Sequence, residues 1–176
     1  LGRRAFEGCT SLETVDLTAL RNTGAEVFKD CTGLQSVVLT ENTKLSYGMF
    51  VKSGLRKVDI YEKVQIPEFC FANCKDLTEV TINNDIVQIG HGAFSECSSL
   101  TSITIPDSVA SIGSYAFDGC KSLSDITIPS NVIAINPYTF YDCDILKKII
   151  IPDNVIRIKK YAFAECRNLE HIHMPD

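Results

Sequence analysis

The stretch IGSYAFDGCKSLSDITIPSNV, residues 112–132, decides the fold. IGHGAFSECSSLTSITIPDSV, residues 89–109, carries the same residue types 23 positions earlier. Working outward, the central phenylalanine recurs as Phe6, Phe28, Phe50, Phe71, Phe94, Phe117, Phe140 and Phe163, at spacings of 22, 22, 21, 23, 23, 23 and 23 residues. A period in the low twenties marks a solenoid, in which each repeat is one coil that cannot bury its apolar side alone.

Other columns keep the same register. Three residues after each phenylalanine comes Cys9, Cys31, Cys74, Cys97, Cys120, Cys143 or Cys166, with Ser53 in the third unit. Three further on comes Leu12, Leu34, Leu77, Leu100, Leu123, Leu146 or Leu169, with Leu55 one place early. Alternating apolar residues follow, such as Ile103 and Ile105 or Ile126 and Ile128, and this alternation predicts a strand. Strands are expected near 14–17, 36–39, 57–60, 79–82, 102–105, 125–128, 148–151 and 171–174, stacked in a parallel sheet. Pro106, Pro129, Pro152 and Pro175 lack the N–H that a ladder needs and end them. Ser108, Asn131 and Asn154 then satisfy turn backbone from coil to coil, and Ile112, Ile135 and Ile158 line a further stretch of core. Before residue 71 the units shorten and lose the proline, and Val64, Ile66 and Phe69 replace the usual spacing.

These residues resemble the BspA-type, spirochaete-like leucine-rich repeat, IGxxAFxxCxxLxxIxIPxxV, strongly from about residue 71 and more loosely before it. The resemblance implies an α/β repeat solenoid, a leucine-rich repeat array with a parallel concave β-sheet, and the preference for right-handed parallel crossovers makes it right-handed. The AFxxC segment is expected as a short helical or 3₁₀ turn on the convex side. One array of about eight units of 21–23 residues spans 1–176. Leu1 and Gly2 fall on the positions of Ile112 and Gly113, so the expectation is a fragment of a longer protein that begins in mid-repeat.

Eight cysteines raise the question of disulfides, but seven share one repeat position and Cys70 takes the small-residue slot of Ala93, Ala116 and Ala162. Stacked coils hold parallel Cβ atoms about 5 Å apart, beyond the ~3.5–4.5 Å a disulfide prefers, so free packed thiols are expected.

Composition narrows the function classes. Hydrophobic residues make up 45% of the chain, yet no apolar run reaches the ~18 residues of a membrane span, and no signal-peptide pattern is present. A net charge of -5 disfavours nucleic acid. The basic cluster Lys147, Lys148, Arg157, Lys159 and Lys160 is offset by Asp142, Asp144 and Asp153 and reads as a solvated face. No catalytic motif, cofactor loop or N-glycosylation acceptor is present, so no catalytic, cofactor or metal residue is expected. His171 and His173 share a strand face, but neighbouring Lys148 and Ile150 do not complete a zinc site. Tyr115, Tyr138 and Tyr161 form a 23-residue column that stiffens the stack or, as the lesser reading, offers a convex stripe.

The outward strand positions form the one extended regular surface expected. One column runs Asp16, Val38, Asp59, Thr81, Thr104, Thr127, Ile150 and His173; its neighbour runs Thr14, Ser36, Lys57, Glu79, Ser102, Asp125, Lys148 and His171. Threonine fits a pleated surface with or without a ligand. By position, Thr81, Thr104, Thr127, Asp125 and Lys148 are the expected contacts to a protein or other macromolecular partner. The resemblance further implies adhesion or protein binding, a cell-surface or secreted location and a host or matrix protein as ligand. The alternative is an intracellular or periplasmic scaffold or spacer.

Overall fold

The computed structural model describes residues 1–20, 22–61, 63 and 65–174; the expectations for Val64 and Pro175 lie outside them. The chain winds into a parallel-stranded solenoid of about seven turns. The strands are β1 (Thr14–Asp16), β2 (Ser36–Val38), β3 (Lys57–Ile60), β4 (Gln65–Ile66), β5 (Glu79–Ile82), β6 (Gln88–Ile89), β7 (Ser102–Ile103), β8 (Ser111–Ile112), β9 (Ala134–Ile135), β10 (Lys148–Ile150), β11 (Arg157–Ile158) and β12 (His171–His173).

The LxxIxI segments form the first sheet line as β1–β2, β3–β5–β7 and β10–β12, all parallel. Their registers pair equivalent repeat positions, Thr14 with Ser36, Asp59 with Thr81 and Ile150 with His173. The sheet is less continuous than the alternation predicts. Between β7 and β10 the segment 125–128 makes one parallel bridge, Asp125 to Ser102, and among the described residues no ladder joins it to β10.

A second parallel line, β4–β6–β8 and β9–β11, closes the opposite side of the coil. Sequence reasoning had placed only core here. Each strand is two residues long, its isoleucine turns inward, as Ile66, Ile89, Ile112 and Ile135 do, and glycine follows Ile89 and Ile112. A Cβ on Gly113 would sit 2.6 Å from the His91 backbone nitrogen, so no side chain fits where these coils close.

The AFxxC arc is neither helical nor 3₁₀, which corrects the expectation. Two residues in every coil have left-handed backbone, one two places before the phenylalanine and one two places after it. In the Phe117 coil these are Tyr115 (φ 59) and Gly119 (φ 69). The earlier position is taken in turn by Arg4, Glu26, Gly48, Phe69, Gly92, Tyr115, Tyr138 and Tyr161. A right-handed helix cannot pass through them. Donors alternate instead. Tyr115, Phe117 and Gly119 give their N–H to Pro137, Thr139 and Tyr141 of the next coil, at 3.2, 2.9 and 2.9 Å. Ala116, Asp118 and Cys120 turn theirs back three residues to Gly113, Tyr115 and Phe117. A helix spends every N–H within its own turn. Here half of them bind the neighbouring coil.

The core runs the length of the array. The phenylalanine rings stack face to face at 5.4–5.6 Å from Phe6 to Phe163. Leu34, Leu77, Leu100, Leu123 and Leu146 lie behind them, fully buried. All eight cysteines are thiols. The column position does more than pack: the Sγ–H groups of Cys97, Cys120 and Cys143 donate to the carbonyls of Phe71, Phe94 and Phe117 at 3.1, 3.3 and 3.2 Å. Each of those carbonyls also accepts the N–H three residues on, so one oxygen closes a turn and holds the next coil. In the turns, Ser108 Oγ donates to Ile86 O at 2.6 Å and Asn131 Nδ2 to Asp107 O at 2.6 Å, as their spacing predicts.

Candidate partner-binding face

Inward isoleucines force the alternate residues of the first sheet line outward. Thr81, Thr104, Thr127, Asp125 and Lys148 are all exposed. The structure brings three of them together. Thr104, Asp125 and Thr127 line a depression of about 450 Å³ with Ser102, Asp107 and Asn84, and its floor includes Ile103, Ile105 and Ile126. This is the place where the ladder between neighbouring coils lapses. Below the bridge at Asp125, among the described residues no backbone hydrogen bond ties Thr104 or Ile105 to Thr127 or Ile128. Backbone polar groups there stay open to solvent or to a ligand.

The other two residues stand apart. Thr81 lies on β5 opposite Asp59, and Lys148 on β10 opposite His171; neither lines the depression. Lys148 is not laddered to Asp125, although their repeat positions match. Nearby, Lys57 Nζ meets Glu79 Oε1 at 2.8 Å, and this hydrogen bond with its charge attraction raises the Lys57 pKa. Asp16 is lowered because the Thr18 N–H donates to its Oδ1 at 2.9 Å. Val38 and Ile150 add apolar surface on the same face, 53% and 51% exposed.

Among the described residues no three histidine, cysteine, aspartate or glutamate side chains converge as metal ligands. No helix among them is long and apolar enough to cross a membrane.

Two features escaped sequence reasoning. The tyrosine column is longer than its spacing suggests: Tyr115, Tyr138 and Tyr161 stack at 4.6 and 4.9 Å, and His91, Phe69 and Tyr47 continue it edge to face at 5.3, 4.9 and 5.7 Å. It was masked by a one-place shift. Where glycine takes the left-handed position, as Gly48 and Gly92 do, the residue before it supplies the ring. An exposed apolar row, Val87, Ile133 and Ile156, also runs beside the second sheet line. Its signal is the apolar residue after Ile86, Val132 and Val155.

Comparison with known proteins agrees with this architecture. The profile of the BspA type leucine rich repeat region, in six copies, matches residues 1–66 and 64–176. A leucine-rich repeat protein from Bacteroides ovatus superposes with a TM-score of 0.74 at 27% identity, over 99% of this chain and 40% of that one. The leucine-rich repeat protein of T. pallidum gives 0.67 at 27% identity, over 96% of this chain and 70% of that one. A leucine-rich cell surface protein from Faecalibacterium prausnitzii shares the fold, with a TM-score of 0.61 at 21% identity, over 98% and 62%. The chain thus spans less than half the length of the Bacteroides ovatus protein. No curated protein matches the sequence. With the profile covering the array from end to end and the same coil geometry in its relatives, the chain belongs to the BspA-type leucine-rich repeat family.

Proposed function

We propose that this array is a protein-binding module of a cell-surface or secreted protein, engaging a macromolecular partner through the outward face of the first sheet line. The carrying observation is the depression between the Thr104 and Thr127 segments. There hydroxyl and carboxylate side chains surround backbone left unpaired, on an otherwise regular platform. Repeat arrays of this kind generally mediate protein interaction, and a relative of the same fold is described as a cell surface protein. The face is weakly charged and carries no aromatic anchor, so one array binds modestly and affinity grows with the number of engaged units. Catalysis is not part of this reading.

The test replaces Thr81, Thr104 and Thr127 together by Lys, with unchanged circular dichroism as the folding control. Binding is then measured to a partner captured with the intact array. Loss of binding supports the face; undiminished binding rejects it and directs attention to the tyrosine column. A second reading, a scaffold or spacer in a reducing compartment, is favoured by eight thiols with no bridge. It predicts that no partner is captured at all.

A further inference from the structure

The third coil breaks the repeat in one place, and the break leaves a recess. Elsewhere four residues run from the column cysteine to the column leucine, and the leucine N–H closes the turn on the cysteine carbonyl, as Leu34 does to Cys31 at 3.0 Å and Leu77 to Cys74 at 3.1 Å. Here Ser53-Gly54-Leu55 is one residue shorter. Gly54 donates instead across to Cys31 O at 3.3 Å, and its Cα is so close to Thr32 O that no side chain would fit. The missing residue leaves a cavity of about 410 Å³ between the second and fourth coils, lined by Thr32, Lys52, Ser53, Asn73, Lys75 and Asp76, with Gly54 between them.

The lining is rich in donors. Ser53 is 3% exposed, and its hydroxyl has one neighbour, Cys74 Sγ at 3.4 Å, a weak partner for a buried oxygen. Lys52 reaches Asp30 Oδ1 only at 3.8 Å, and Lys75 forms no ion pair among the described residues. Lys52, Lys75, Thr32, Ser53 and Asn73 thus line the recess with one acidic residue, Asp76, while Asp30 stands beside Lys52.

We propose that this recess binds a doubly charged tetrahedral oxyanion, sulfate or phosphate, free or as an ester. Lys52 and Lys75 would supply the charge, and Thr32, Ser53 and Asn73 the directed donors. The proposal is independent of the first-sheet face and goes beyond it.

The experiment follows amide shifts of Ser53, Gly54 and Asn73 by NMR on titrating the intact chain with sodium sulfate or sodium phosphate, against sodium chloride at equal ionic strength. Saturable shifts confined to these coils are expected with sulfate or phosphate and not with chloride. The exposed double variant Lys52→Ala/Lys75→Ala should weaken the response about tenfold. Ser53→Cys, which restores the residue the repeat uses, should weaken it with both lysines intact. A parallel titration with a sulfated disaccharide separates the sources: tighter binding than inorganic sulfate assigns the site to an ester, equal or weaker binding to the free ion. Linear shifts, an equal chloride response, or unchanged binding in the double variant would overturn the proposal.

Discussion

The Cys120 thiol donates to the Phe94 carbonyl 3.3 Å away, in the coil before its own. A residue that reads as a small apolar filler is therefore also a directed donor, and this changes what its replacement should do. A serine hydroxyl has a partner ready at that carbonyl. Cys120→Ser is expected to cost about 1 kcal/mol, and Cys120→Ala more, about 2 kcal/mol, because it loses both the bond and the sulfur's volume. Urea midpoints order the two variants; a serine variant less stable than the alanine variant contradicts the donor role.

The same burial governs reactivity. Desolvation pushes the Cys74 thiol up to about 12 and holds Cys97 well above the ordinary thiol value, so neither forms thiolate at neutral pH. Cys9 is the exposed member of the column. Titration of the native protein with a thiol reagent should show a fast phase from Cys9 that Cys9→Ser removes. Denaturation without reductant should release all eight thiols. Two or more thiols missing from that total would mean bridges that the stacking geometry disfavours.

Removing one ring from the phenylalanine stack should be costly. Phe117 is fully buried, with Phe94 and Phe140 each 5.6 Å away. Phe117→Ala is expected to destabilise by about 3–5 kcal/mol, read from denaturant unfolding. A loss under about 1 kcal/mol would mean the coils collapse onto the gap.

Two carboxylates set opposite limbs of the pH profile. Burial, with help from Glu96 and Asp142, pushes Asp118 up to about 6. Its folded value lies above the ordinary one, so the folded state holds the proton more tightly, and this contribution fades as pH rises through about 6. Glu26 is held down to about 2 by Arg4 and Arg3, whose nitrogens lie 2.7 and 3.0 Å from its Oε2. Its contribution is present above about 4.5 and is lost as pH falls toward 2. Thermal midpoints should show Asp118→Asn gaining about 1 kcal/mol at pH 7, discounted for solvent contact, and little below pH 4. An equal gain at both pH values would trace the effect to something other than charge.

Much of the architecture was legible because it is written in columns. The phenylalanine, cysteine and leucine positions each repeat, and each landed in the core. What could not be read depends on backbone geometry that side chains do not announce. Tyr115 and Tyr138 are poor markers of a left-handed residue, so the AFxxC arc read as a helical or 3₁₀ turn when it carries two left-handed residues four places apart. The lapse in the first sheet line was equally hidden, since LTSITIP at 100–106 and LSDITIP at 123–129 differ at two positions. Of the expected contact residues, Thr104, Thr127 and Asp125 converge because their coils are adjacent. Lys148 does not, because it belongs to the separately laddered β10–β12 block, and Thr81, on β5 of the block that ends at β7, lies one coil before the lapse and does not line the depression.

The alternating donors of the AFxxC arc dictate where such a protein can change length. Adding or removing one residue between the two left-handed positions would swap every donor that faces the next coil for one that faces inward, and the fault would fall on both neighbours. All eight arcs, from Arg4 and Gly8 to Tyr161 and Glu165, keep that interval at four residues, whereas the third dispenses with a residue just beyond it and still stacks. Evolutionary insertions and deletions, and engineered grafts, should therefore accumulate after the cysteine and around the strand exits, with the arc acting as the ruler against which successive coils are measured.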